Sequence, residues 1–118
     1  MKTIEKLRKN GIFFNYDDMV RLCKKYCVTE LSIFGSAIRN DFTQSSDVDI
    51  LVSFEKDSKI TLFDMVELEE KFSQLLNREA DIVERESIRN PMRRHKILST
   101  REIIYSCTSH TPPIQRSR

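Results

Sequence analysis

The sequence contains no apolar run long enough to cross a bilayer, which argues against a membrane-spanning protein. Its opening stretch, MKTIEKLRKNG, carries charges throughout and lacks the continuous apolar segment of a secretory signal. We therefore expect a cytoplasmic protein that has no membrane partner.

Cysteine and histidine are too few and too scattered to predict a metal site. The three cysteines, Cys23, Cys27 and Cys107, form no CxxC pair and no zinc spacing with histidine. Cys23 and Cys27 lie four residues apart on a predicted helix, where we expect small, partly buried side chains in a reducing compartment. His95 and His110 are isolated, and we assign them neither a catalytic nor a metal-binding role.

The sequence also lacks an excess of charge of one sign. Its 20 basic and 18 acidic residues leave a formal net charge of +2, which is too small to indicate nucleic acid binding. We therefore do not expect nucleic acid as a direct partner. With 39% hydrophobic and 32% charged residues, the 118-residue chain has the composition of one globular domain with a single core.

Hydrophobic periodicity divides the chain into alternating helices and strands. Asn15 and Thr61 are placed to cap helices, and Asp64 follows Thr61 at the spacing of a capping box. The predicted helices span residues 15–27, 61–76 and 87–105 (the last interrupted or started by Pro91), and the predicted strands span residues 29–34, 48–54 and 80–84. This order predicts a compact α/β domain over residues 1–105 and a mobile, basic tail over residues 106–118.

Two aspartates stand at the start of the second predicted strand, in the stretch SDVDILVSF. Because side chains alternate along a strand, Asp47 and Asp49 project to the same side, about 7 Å apart, while the apolar residues between and after them face a core. Two carboxylates at a strand end suit a hard divalent cation such as Mg²⁺, whose coordination is usually completed by substrate phosphate oxygens.

A Gly-Ser pair precedes these aspartates by ten residues and has the features of an anion site. Gly35 ends a strand and lets the backbone approach a ligand closely, and a following helical turn would offer unpaired N–H groups. Ser36 adds a hydroxyl donor, and Arg39 can reach the same anion from one turn later. Hydrogen-bond donors to phosphate, next to carboxylates that can bind a metal ion, predict a site for a nucleoside triphosphate.

The pattern Gly35-Ser36, ten residues, Asp47-Val48-Asp49 resembles the signature of the DNA polymerase β-like nucleotidyltransferases. The stretch FGSAIRNDFTQSSDVDILV resembles in particular the minimal nucleotidyltransferases, the antitoxins of HEPN/MNT toxin–antitoxin pairs. This resemblance covers about residues 15–105 and implies a small mixed sheet flanked by helices, the palm-like fold of polymerase β. It further implies ATP as donor, two Mg²⁺ ions as cofactor, and AMP transfer to a tyrosine of a partner HEPN-domain toxin.

The resemblance also implies a third carboxylate on a later strand, and Asp81 in EADIVE matches that place. Glu79, two residues away on the same face, is the alternative. Asn40 departs from the family, in which glycine is common here; we expect the turn to persist because asparagine tolerates a left-handed backbone. The resulting assignment is catalytic and metal-binding for Asp47, Asp49 and Asp81, and nucleotide-binding for Gly35, Ser36 and Arg39.

Two other functions stay open at this point. A protein of this kind could neutralise its partner by binding alone, without any transfer. Transfer to a small molecule such as an aminoglycoside is the second alternative, although the 37 residues after Asp81 leave little chain for an acceptor pocket.

A basic run and an apolar stripe can each be interpreted as ordinary surface or core, or as a binding surface. The basic run from Arg93 to Lys96 is best interpreted as a solvated helix face, with an acidic partner surface or RNA as alternatives. Any exposed part of the 61–76 stripe, together with Ile103, Ile104 and Tyr105, is a candidate interface for a dimer or a toxin.

Overall fold

The computed structural model describes residues 2–107, which form four helices, four strands and two short 3-10 turns. The helices are α1 (Thr3–Lys9), α2 (Tyr16–Lys25), α3 (Leu62–Leu76) and α4 (Pro91–Thr100), and the strands are β1 (Val28–Phe34), β2 (Val48–Phe54), β3 (Ala80–Glu84) and β4 (Glu102–Ser106). The sheet order is β3-β2-β1-β4, in which β2 and β3 are parallel and the other two pairs are antiparallel. The predicted α/β fold with a small mixed sheet is confirmed.

Both capping motifs that the sequence contains start helices. The Asn15 side chain accepts a hydrogen bond from Asp18 N at 3.1 Å before α2. Before α3, Thr61 Oγ1 accepts from Asp64 N at 3.2 Å, and Asp64 Oδ2 accepts from Thr61 N at 2.9 Å. The same helix ends at Asn77 in the left-handed conformation, with φ +54°, as is common just after a helix. These local signals fix the boundaries of α2 and α3.

The alternating side chains of β2 separate two unequal apolar layers. Val48, Ile50 and Val52 are buried in the main core, together with residues from β1, α2 and α3. On the opposite face, Leu51 packs in a smaller cluster with Ile88 and with Ile97 of α4. This second face carries the odd-numbered positions of β2 and is therefore the one that displays Asp49.

Helix side chains bind the backbone of both outer strands. Glu69 Oε2 of α3 accepts the N–H of Ile82 in β3 at 2.9 Å. The Tyr16 hydroxyl of α2 donates to the carbonyl oxygen of Ile104 in β4 at 3.2 Å. Unpaired strand edges tend to pair with other chains, and covering them is a common protection.

The prediction of a helix continuing to Tyr105 is wrong. Helix α4 ends at Thr100, and the next residues form β4, which pairs with β1 so that Tyr105 lies opposite Leu31. The stretch EIIYS is rich in β-branched and aromatic residues, which favour strands. The free edge of β1 supplies the antiparallel partner, and this long-range pairing outweighs the local helical pattern.

The N-terminal helix α1 is not among the helices predicted from the sequence. Its Leu7 is buried in the main core, and Thr3 Oγ1 donates to Glu102 Oε1 of β4 at 2.7 Å. Lys6 forms an ion pair with the same carboxylate. These contacts join the two ends of the described chain, which are far apart in sequence.

The predicted tail begins inside the sheet. Ser106 ends β4, and Cys107 N donates to Thr29 O at 2.7 Å. The rest of the predicted tail, residues 108–118, lies outside the described residues. Within residues 2–107 no helix has the length and apolar character needed to cross a membrane.

Two phenylalanines of α3 provide a matched test of this packing. Phe72 is fully buried, whereas Phe63 is 87% exposed. Phe72→Ala should lower the free energy of unfolding by about 3–5 kcal/mol, because it leaves a cavity in the main core. Phe63→Ala should change it by no more than about 0.5 kcal/mol. Urea unfolding followed by circular dichroism measures both, and equal losses would contradict the orientation of α3.

Candidate active site

The parallel pairing of β2 with β3 brings two of the predicted carboxylates together. Asp49 of β2 is in register with Asp81 of β3, and on its other side with Phe34 of β1. Residues in register on neighbouring strands point to the same face, and the strands lie about 4.8 Å apart. Asp49 is half-buried and Asp81 is exposed. The structure thus places Asp81 beside the Asp47–Asp49 stretch.

Asp47 and the alternative Glu79 stand just outside the paired segments. Both residues immediately precede their strands and are exposed, and Val48 N donates to Glu79 O at 2.9 Å. Each precedes a site carboxylate by two residues, the interval at which side chains of a strand share a face, and the charge of Asp47 raises the pKa of Asp49. Asp81 has the closer register partner in Asp49, so it remains the third carboxylate of our assignment.

Gly35 is required by its backbone conformation and by the Asp49 carboxylate. Its φ is +74°, in the left-handed region that favours glycine. A Cβ added there would collide with Asp49 Oδ2 and lie 3.3 Å from Asp49 Cγ. The sequence predicted a close backbone approach to a ligand; the approach present in the structure is to a carboxylate of the site itself.

The 3-10 turn Gly35–Ile38 carries Ser36 and is held in place by Asn10, the residue that follows α1. Asn10 Nδ2 donates to Ala37 O at 2.8 Å and to Arg39 O at 3.0 Å. The Ser36 hydroxyl makes no hydrogen bond within residues 2–107, so it can donate to a ligand. Asn10 is a positioning residue that the sequence analysis missed, because nothing local links it to a turn 27 residues later.

Arg78 fastens the loop that leads to Asp47. Its Nη2 atom donates to three carbonyl oxygens of this loop, those of Thr43, Gln44 and Ser46, at 2.9, 2.8 and 3.1 Å. Arg78 lies two residues before the start of β3. Its hydrogen bonds therefore join the segment that precedes Asp81 to the loop that precedes Asp47. The sequence analysis also missed this contact.

Arg39 is exposed and paired with Asp41. Its Nε and Nη2 atoms donate to the two Asp41 carboxylate oxygens at 3.0 and 3.3 Å, and this hydrogen bonding lowers the pKa of Asp41. An exposed ion pair of this kind contributes little stability, so a phosphate can compete for the guanidinium. Asn40, between them, does not have the positive φ that the sequence suggested, and the turn forms without it.

The site lies on an accessible face of the sheet, where Asp47 and Asp81 are exposed. A cavity of about 590 Å³ lies beside Arg39 and is lined also by Lys6, Lys9 and Asn10. None of the three aspartates lines this cavity. Together with the exposure of Asp47 and Asp81, this arrangement leaves the carboxylates accessible to a large molecule.

Negative charge accumulates at Asp49. Burial raises its pKa, and the carboxylates of Asp81 and Asp47 raise it further, whereas the guanidinium groups of Arg39 and Arg93 lower it. The ionised form of Asp49 is therefore destabilised by burial and by like charges, and a bound cation would stabilise it.

A divalent cation fits this donor set only together with a ligand. Within residues 2–107, no three acidic, histidine or cysteine side chains form a cluster that could hold a metal ion by itself. Asp47, Asp49 and Asp81 nevertheless supply oxygen donors on one face, which hard cations such as Mg²⁺ prefer. Phosphate oxygens would complete the coordination, as is usual for Mg²⁺.

Comparisons with known proteins assign this chain to a family. Residues 20–104 match the nucleotidyltransferase domain family. The chain belongs to that family. The predictions of a nucleotidyltransferase, of its fold and of its resemblance to the minimal nucleotidyltransferases are confirmed.

Curated relatives of this nucleotidyltransferase include protein adenylyltransferases of archaea. MntA of Thermococcus cleftensis, named as such an enzyme, is 34% identical over 84 residues, which cover 71% of this chain and 80% of the relative. MJ0128 of Methanocaldococcus jannaschii, a proposed protein adenylyltransferase, is 37% identical over 91 residues, covering 77% of this chain and 87% of the relative.

Solved structures share the fold. A proposed minimal nucleotidyltransferase superposes with a TM-score of 0.63 at 29% identity, covering 86% of this chain and 94% of that chain. A chain of a toxin–antitoxin complex solved with AMP-PNP gives a TM-score of 0.64 at 18% identity, covering 80% of this chain and 75% of that chain. At that identity, the second likeness shows the fold alone.

Gly35→Ala should destabilise the fold and disrupt the site, because it combines left-handed strain of about 1–2 kcal/mol with displacement of the Asp49 carboxylate. Gly11→Ala is the matched control: its φ is +81°, but no atom lies within 4 Å of an added Cβ. Urea unfolding should show a larger loss of stability for Gly35→Ala, and calorimetry should show weakened AMP-PNP binding for that variant alone. Identical behaviour of the two variants would contradict the Gly35–Asp49 contact.

Asp49→Asn should stabilise the metal-free protein at pH 7. Because the pKa of Asp49 is raised in the folded state, the stability that protonation contributes is present at low pH and lost as the pH rises through the folded-state value. The advantage of the variant should therefore vanish below about pH 3, where aspartate is protonated in both states.

Urea unfolding in EDTA at several pH values measures this difference. Asp57→Asn, in the exposed loop after β2, serves as the control and should show no such dependence. An Asp49→Asn variant no more stable than the parent at pH 7 would rule out the accumulation of negative charge at this residue.

Proposed function

We propose that this protein transfers AMP from ATP to a hydroxyl group of a partner protein, a tyrosine of a HEPN-domain toxin, and thereby acts as an antitoxin in the cytoplasm. The observation that carries the proposal is the register of Asp49 with Asp81, beside a Gly35–Ser36 turn whose hydroxyl has no partner in the described chain. The names of the archaeal relatives support a protein as the acceptor.

The Gly35–Ser36 turn and the three carboxylates have separate roles in this reaction. Gly35 and Ser36 present backbone and hydroxyl donors to the β- and γ-phosphates. Mg²⁺ (two ions), held by Asp47, Asp49 and Asp81 with phosphate oxygens, would stabilise charge on the attacking and leaving oxygens.

The transfer step balances with the groups present. The acceptor oxygen forms a bond to the α-phosphorus while the bond from that phosphorus to its bridging oxygen breaks. Pyrophosphate leaves with the electron pair, and the Asp81 carboxylate takes the proton of the acceptor hydroxyl. Asp81 suits this role because it is exposed at the edge strand, where a macromolecular acceptor can reach it.

The fold favours a macromolecular acceptor over a small one. After β3, the described chain adds only a 3-10 turn, α4 and β4. Because Asp47 and Asp81 remain exposed, we expect the acceptor surface to come from another molecule. This argument disfavours an aminoglycoside as the acceptor.

The exposed apolar face of α3 is the surface that we propose for the partner. Leu62, Phe63 and Val66 are all more than 60% exposed, which is unusual for neighbouring apolar side chains. Ile103 is 47% exposed, whereas Tyr105 of the predicted interface is buried. A groove of about 480 Å³ continues from Leu62 to Glu84 and Glu86, and its acidic end favours a partner with apolar and basic side chains. A dimer of this chain is the other occupant, and gel filtration distinguishes the two.

The double substitution Asp47→Asn with Asp49→Asn should leave the fold intact and reduce AMP transfer by at least about 100-fold. The assay incubates the protein with radiolabelled ATP, Mg²⁺ and a HEPN-domain toxin from the same genome. Transfer is read as label on the toxin and as a mass increase of one AMP or more. Asp57→Asn is the matched control and should transfer normally.

Two outcomes would contradict the proposal. Undiminished labelling by the double variant would refute the assignment of the carboxylates. A tight complex of unmodified protein and toxin, with neutralisation but no AMP adduct, would instead support an antitoxin that acts by binding alone.

A further inference from the structure

We propose that Arg93 is a phosphate-binding residue of this site, contributing from α4 a guanidinium that holds the polyphosphate of the bound nucleotide. The inference rests on the proposed function and deepens it. It also revises the interpretation of the basic run Arg93–Lys96 as a merely solvated face.

The packing of α4 places its sheet-facing side over the face that carries Asp49. Along β2, Leu51 follows Asp49 by two residues and therefore shares its face. Leu51 packs with Ile97 of α4 and with Phe34, the residue in register with Asp49. Helix α4 consequently lies against the same face of the sheet as the carboxylates.

Helical spacing places Arg93 on the sheet-facing side of α4, one turn N-terminal to Ile97. Arg93 precedes Ile97 by four residues, so the two side chains share one side of α4, about one turn apart. The start of the helix is fixed locally, since Asn90 Oδ1 accepts a hydrogen bond from Arg93 N at 3.0 Å. Arg93 is therefore held at the N-terminal end of α4, on its sheet-facing side.

The electrostatics of Asp49 agree with this placement. The positive charge of Arg93 lowers the pKa of Asp49, against the opposing effects of burial and of the other two carboxylates. Arg39 is the other cation that acts in this way, and it is already paired with Asp41.

Arg85, Arg94 and Arg101 have structural partners, whereas the side chain of Arg93 has none in residues 2–107. Arg94 Nη1 donates to Arg85 O at 2.7 Å, and Arg101 and Arg85 both pair with Glu30. The side chain of Arg93 is exposed and makes no hydrogen bond or ion pair in the described chain. Its donors are available for a ligand.

The position of Arg93 is not explained by helix stability. The first turn of α4 contains no acidic residue, although the positive end of the helix dipole favours acids there and disfavours cations. A guanidinium beside three carboxylates would instead offset their repulsion of a polyphosphate, and its planar donors suit phosphate oxygens.

The test compares Arg93→Ala with Arg89→Ala, which removes the same charge from an exposed arginine that is not among the groups shifting the pKa of Asp49. Calorimetry with AMP-PNP and Mg²⁺ should show binding weakened about 10-fold or more for Arg93→Ala and nearly unchanged for Arg89→Ala. Arg93→Lys should restore part of the affinity. Titration with inorganic tripolyphosphate in EDTA should give the same ranking without any metal.

The outcomes separate this inference from the proposed function. If the parent binds AMP-PNP and transfers AMP, but Arg93→Ala matches the parent or Arg89→Ala, the role of Arg93 is overturned and the proposed function stands. A parent protein that binds no AMP-PNP would overturn both. Thermal unfolding of Arg93→Ala should remain close to that of the parent, which excludes misfolding as the cause of weaker binding.

Discussion

The functional face depends on the parallel hydrogen bonding between β2 and β3. That pairing sets Asp49 beside Asp81, and a one-residue slip would send one of these side chains to the apolar core. Helix α3, which connects the two strands, fixes the register by burying Leu68 and Phe72 under the sheet. The buried core thus positions the carboxylates, although none of these acidic side chains is part of that core. The charges of Arg39 and Arg93 offset part of the repulsion among these carboxylates, since both lower the pKa of Asp49.

Much of the architecture could be predicted from local signals. The helices capped by Asn15 and Thr61 and the first three strands have clear start signals or short apolar runs, and the structure contains all of them. The last strand could not be recognised in this way, because its pairing with β1 is a long-range interaction. The EIIYS stretch has strand propensity, but it continues a helical pattern without a glycine or proline to separate the two.

The site, too, contains residues that the sequence identifies and residues that only the folded structure reveals. Gly35 and Asp49 belong to a compact sequence pattern, whereas Asp81, which the family resemblance implied, comes beside Asp49 only through the register of the strands. Asn10 and Arg78 act through backbone carbonyl oxygens of distant segments, and carbonyl groups leave no trace in the sequence. Their contributions become visible only when the chain is folded.

The hydrogen bonds that helix side chains make to the outer strands have a consequence for assembly. The Ile82 amide already donates to Glu69, and the Ile104 carbonyl already accepts from Tyr16. Neither edge strand therefore offers a full set of unpaired backbone groups to an added β-strand. A continuous intermolecular sheet is therefore disfavoured. Association with another molecule falls to side-chain surfaces, where single substitutions can change the choice of partner without altering the backbone of the domain.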